Sequence, residues 1–99
     1  MPQSLTFDKH RLSDFCQRNR IRKLSLFGSA LRDDFGPDSD LDFLAEFEPD
    51  AVVTLIDMAR MEEELAEIAG RKVDLRTPQE LSRYFRDKVL AEAQVQYAA

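Results

Sequence analysis

The residues best suited to chemistry in this chain are a Gly-Ser pair and three aspartates. Gly28-Ser29 lies in "LFGSALRDDF", ten residues ahead of Asp40-Leu41-Asp42, and Asp74 follows in "KVDLR". Side chains on an extended strand repeat every two residues. Asp40 and Asp42 are therefore expected on one face, their Cβ atoms roughly 6–7 Å apart. Carboxylates placed this way repel each other unless a cation lies between them. Hard oxygen ligands suit Mg²⁺, which binds through a few carboxylates together with substrate phosphates. The span also suits a pair of ions about 3.5–4 Å apart, as in two-metal chemistry. An Asp-x-Asp alone fits a solvated strand equally well. Gly28-Ser29 supplies the other half of a site. Backbone N–H groups at a helix N-terminus bind anions, and glycine lets the chain approach closely. Ser29 also reads as an ordinary helix N-cap, and the two readings are compatible.

Periodicity shows which elements would hold these residues. Residues 8–18 place Leu12, Phe15 and Cys16 on one helical face. "RKLSLF" alternates as a strand, with Leu24 and Leu26 together, and ends at Gly28-Ser29. A short helix, "ALRDDF", is expected next, closed by Gly36-Pro37. In "DLDFLAEF", Leu41, Phe43, Ala45 and Phe47 point one way, and Asp40, Asp42, Leu44 and Glu46 the other. "VVTLIDMARMEEELAEIAG" reads as the clearest helix, with Leu55, Met58, Met61, Leu65 and Ile68 as its apolar stripe. Gly70 is its C′ residue.

In "KVDLR", Val73 and Leu75 share a face, and Asp74 lies opposite with Lys72 and Arg76. Thr77, Pro78 and Glu80 predict a capped helix start. One or two helices are expected to run from there to about Tyr97, using Leu81, Phe85, Val89, Leu90 and Ala93. The order α-β-α-β-α-β-α predicts an α+β domain with α/β-type alternation, its helices packed on a small sheet. A single domain is expected over residues 1–99.

Composition narrows the function. The net charge of −5 disfavours a dedicated nucleic-acid binder, which needs clustered Lys and Arg. "RNRIRK", Arg18 to Lys23, is a basic knot that reads as a helix end, or as a phosphate- or partner-facing patch. No apolar stretch approaches the roughly 20 residues needed to cross a bilayer, and no signal peptide is visible. The one cysteine, Cys16, cannot form an internal disulfide, which points to a reducing cytoplasm. Cys16 reads as a buried hydrophobe. His10, the one histidine, sits between Lys9 and Arg11 and is expected to be exposed. A His-based metal site or a Ser-His-Asp triad is discounted on that ground.

Gly28-Ser29, ten residues, then Asp40-Leu41-Asp42 resembles the signature of the DNA polymerase β-like nucleotidyltransferase superfamily. The wider stretch "LFGSALRDDFGPDSDLDFLAEF", followed by "GRKVDLRTP", is similar to the minimal nucleotidyltransferase (MNT) group. The resemblance covers nearly the whole chain. It implies that Gly28 and Ser29 hold the triphosphate of ATP and that Asp40 and Asp42 bind Mg²⁺. Asp74 would complete the metal site and help activate the acceptor hydroxyl.

Arg32, one helical turn beyond Ser29, would reach the phosphates, brace the acidic strand, or pair with a nearby acid such as Asp33 or Asp34. Many relatives have Gly after this arginine; Asp33-Asp34-Phe35 stands here and adds negative charge. MNT proteins of this size are antitoxins of HEPN-domain RNase toxins. The resemblance implies transfer of AMP from ATP to a tyrosine of such a toxin. Alternatives are a non-catalytic antitoxin that acts by complex formation, and a transferase for a small hydroxylated substrate such as an aminoglycoside.

Overall fold

A computed structural model describes residues 7–28, 40–84 and 86–99. Helix α1 (Lys9–Arg18) opens at Asp8, whose carboxylate accepts hydrogen bonds from the N–H groups of His10 and Arg11. Its buried face is Leu12, Phe15 and Cys16, as the spacing predicts, and His10 is exposed. Strand β1 (Ile21–Phe27) pairs antiparallel with β2 (Leu41–Phe47). Helix α2 (Leu55–Ala69) then makes the crossover that a parallel neighbour requires, and β3 (Val73–Arg76) runs parallel to β2. A 3₁₀ turn (Pro78–Glu80) and helix α3 (Arg86–Glu92) lead to β4 (Gln94–Ala98), antiparallel to β1. The strand order is β3-β2-β1-β4, a mixed sheet.

Leu24 and Leu26 of β1 lie opposite Ala45 and Phe43 of β2, and Leu41 and Phe43 lie opposite Val73 and Leu75 of β3. These residues form one core with Leu12, Phe15, Cys16, Met61 and Leu65 of the two long helices. A register irregularity between Ile21 and Lys23 brings Ile21 into the same core, although it lies three residues from Leu24. The opposite face carries Ser25, Phe27, Asp42, Leu44 and Asp74. Ser25 and Leu44 are almost wholly buried, so this second face is covered too. Residues 77–93 must travel from the β3 edge to the β4 edge, and their 3₁₀ turn touches β2. Among the described residues, no helix is long and apolar enough to cross a membrane.

Four expectations are corrected. The C-terminal region is not helical to Tyr97. The helix stops at Glu92, and Gln94–Ala98 is a fourth strand that pairs with β1, with Tyr97 packed against the core. After Thr77 the chain makes only a 3₁₀ turn, in which the Thr77 N–H donates to Glu80 Oε2 at 2.9 Å. Helix α2 begins at Leu55, because Thr54 caps it through the Asp57 N–H. Leu55 is 84% exposed rather than part of the stripe, and Val53, just ahead of the helix, packs against the core instead. Leu44 lies on the face of Asp42, as alternation predicts, and is buried there. The expected helix "ALRDDF" lies outside the described residues.

The basic knot is engaged in ion pairs within the chain. Arg18 binds Asp14 and Glu64, and Arg20 binds Glu48 and Asp50. Arg22 and Lys23 both lie near Glu46.

Candidate active site

The sheet brings the sequence's chemistry to one end. β1 ends at Phe27, and Gly28 follows with φ of +67°, a left-handed conformation that disfavours side chains. Phe27 lies opposite Asp42, and Asp42 lies opposite Asp74. Adjacent strands are about 4.8 Å apart, so Asp42 and Asp74 stand side by side on the face away from the long helices. A Cβ added to Gly28 would come within 2.6 Å of Asp42 Oδ2. The glycine is thus required twice, by its backbone angle and by the carboxylate against it. Close approach was expected here toward a phosphate. The structure shows close approach to the acid that would share that phosphate's metal.

Asp40 lies one residue before β2. Its Oδ2 is 3.9 Å from Lys72 Nζ. The Leu41 N–H donates to the Lys72 carbonyl at 3.0 Å, which ties the start of β2 to the lead-in of β3. Asp40, Asp42 and Asp74 are all partly exposed. Ser29 and Arg32 lie outside the described residues.

The donor chemistry suits Mg²⁺: Asp42 and Asp74 on neighbouring strands, with Asp40 two residues from Asp42. Their side chains do not gather on one point. Among the described residues, no group of three His, Cys, Asp or Glu side chains is close enough to hold a metal ion.

The nucleotidyltransferase domain family matches residues 10–95. The chain belongs to this family. Within it, the chain falls in the MNT branch of the DNA polymerase β-like superfamily. It is 31% identical over 85 residues to a Methanocaldococcus jannaschii protein assigned as a protein adenylyltransferase, covering 86% of this chain and 89% of that one. It is 33% identical over 76 residues to the protein adenylyltransferase MntA of Thermococcus cleftensis, covering 77% and 75%. It also resembles a chain in the solved complex of the tri-AMPylated Shewanella oneidensis HEPN toxin with MNT antitoxin. There the TM-score is 0.62 at 16% identity, covering 92% of this chain and 70% of that one, a likeness of fold.

For this nucleotidyltransferase, sequence reasoning gave Lys72 no role. Alternation already placed it on the face of Asp74, but its contact with Asp40 depends on how β3 docks beside β2. Glu62 lies outside the apolar stripe of α2. In the structure its Oε2 accepts the outward Leu75 N–H at 2.8 Å and fixes α2 to β3.

Proposed function

We propose that this chain is an ATP- and Mg²⁺-dependent protein adenylyltransferase. It acts as the antitoxin of a HEPN-domain toxin and transfers AMP to a tyrosine hydroxyl of that toxin. The observation that carries the reading is the register that sets Asp42 beside Asp74, with Gly28 packed on Asp42 at the end of β1. The curated relatives that share its family support the reaction, and the HEPN toxin–MNT antitoxin complex that shares its fold motivates the partner. The free Cys16 thiol and the lack of a membrane-crossing helix among the described residues support a cytoplasmic setting for the pair.

Gly28 and Ser29 would receive the triphosphate, with Arg32 beside it. Asp40, Asp42 and Asp74 would hold Mg²⁺, which neutralises charge on the phosphates when bound. Asp74 would also orient the incoming tyrosine and accept its proton. The tyrosine oxygen forms a bond to the α-phosphorus, and the bond to pyrophosphate breaks. Alignment and charge neutralisation supply most of what such a transfer requires.

The test is label transfer. The purified chain is mixed with α-labelled ATP, Mg²⁺ and the product of the adjacent gene. Label is expected on that product and absent with Asp40→Asn/Asp42→Asn. No label, alongside a tight complex that still blocks the neighbour, would replace this reading with neutralisation by binding alone.

A further inference from the structure

Three carboxylates and a polyphosphate cannot share one mouth without cations. One candidate cation at that mouth is Lys72, whose Nζ lies 3.9 Å from Asp40 Oδ2. Its backbone and side chain behave differently. The carbonyl is fixed by the Leu41 N–H at 3.0 Å, so the residue is anchored where β2 and β3 begin. The side chain is 80% exposed and the distance to Asp40 is long for an ion pair, so the ammonium is free to swing. A lysine is a point charge on a flexible stem, suited to moving between two anionic partners. Alternation puts Lys72 on the same strand face as Asp74.

We propose that Lys72 is a nucleotide-positioning residue that exchanges partners. Before metal arrives, its ammonium sits beside Asp40. When Asp40 turns to Mg²⁺, the ammonium passes to the phosphate oxygens of ATP. The inference rests on the adenylyltransferase reading of the same site and deepens it. It gives Lys72 opposite effects on two ligands. The lysine competes with free metal for Asp40, and it assists the nucleotide.

Binding measurements on the chain alone test this without turnover. Mn²⁺ is followed by electron paramagnetic resonance in the absence of nucleotide, and ATP and AMP by calorimetry in the presence of Mg²⁺. Lys72→Gln is expected to bind Mn²⁺ about two- to fivefold more tightly, because a competing charge is gone. It is expected to bind ATP about tenfold more weakly, the scale of a lost charge-assisted hydrogen bond, and AMP nearly as before. Lys72→Arg should restore ATP binding. In the transfer assay, Lys72→Gln should raise KM for ATP far more than it lowers kcat.

Unchanged ATP affinity in Lys72→Gln, with wild-type protein that binds ATP, would overturn the inference and leave the function standing. Equal weakening of Mn²⁺, ATP and AMP with a lowered Tm would overturn it as well, because that pattern marks a structural lysine. Wild-type protein that binds no ATP would overturn the functional reading and this inference together.

Discussion

Gly28 is the residue with the least freedom to change. Its φ of +67° and the 2.6 Å approach of Asp42 Oδ2 to a built Cβ act together. Gly28→Ala is expected to lower stability by about 1–3 kcal/mol and to displace Asp42, with transfer falling more than stability alone explains. Urea melts and label transfer on the same variant separate the two effects. Asp42→Asn and Asp74→Asn should reduce transfer more than about 100-fold, since even partners of metal ligands cost 10–100-fold, and Tm should stay near wild type.

Cys16 gives a pH signature. Burial pushes its thiol from the usual 9.0 up to about 12. Between those values the unfolded chain releases the proton and the folded chain keeps it. Stability should therefore fall as pH rises through that window, which urea melts on either side of pH 9 will show. The same burial should leave Cys16 unreactive to alkylating reagents until the chain unfolds.

The secondary-structure elements divide into those legible from local pattern and those settled by tertiary context. α1, β1, β2 and β3 were legible because period and burial agree: Phe15, Leu24, Phe43 and Leu75 lie where their spacing puts them. β4 was not legible. "QVQYA" follows the Ala- and Glu-containing end of α3 and reads as its continuation, and only the open edge of β1 makes it a strand. Leu55 misleads because periodicity does not report where the helix starts: Val53, ahead of the Thr54 cap, packs against the core in its place. Alternation puts Asp42 and Asp74 away from the apolar faces of their strands, and the strand register sets them side by side with Gly28 against Asp42. The Lys72–Asp40 contact joins two segments across the sheet and could not be read along the chain.

Both sheet edges are blunted. Glu62 takes the outward N–H of β3, and β4 has a register irregularity facing Leu24/Ser25, with Gln96 Nε2 donating to the Gln94 carbonyl. At the start of α2, Thr54 and Asp57 form a capping box. Thr54→Ala should cost about 1 kcal/mol in thermal or urea unfolding. The Thr54 backbone N–H, followed by its hydroxyl, holds the Asp57 carboxyl below its usual value. The stabilisation from this cap is present at neutral pH, above the usual carboxylate range. It is lost as pH falls through the lowered value. Acid titration of wild type against Asp57→Ala should show the difference closing at low pH.

At the scale of the molecule, two long helices and the sheet share a single core centred on Phe15, Leu24, Phe43 and Leu65. Phe43→Ala should cost about 3–5 kcal/mol, a large part of the roughly 5–15 kcal/mol that holds such a domain together. Chemical denaturation should show a lower midpoint with little change in slope. The active end hangs from this core, so activity and stability should be lost together in that variant, unlike in Asp42→Asn.

The pairing of β4 with β1 also bears on how the protein is made. β4 follows β1 only after β2, α2, β3 and α3, so the sheet cannot close until all of these elements have left the ribosome. At about 5–20 residues per second, β1 waits several seconds with one edge unpaired. During that interval Leu24 and Leu26 lack the strand that will flank them, and the nascent chain is open to chaperones and to pairing with its neighbours. A protein whose proposed role is to restrain a toxin would then become competent only after β4 has emerged and paired with β1.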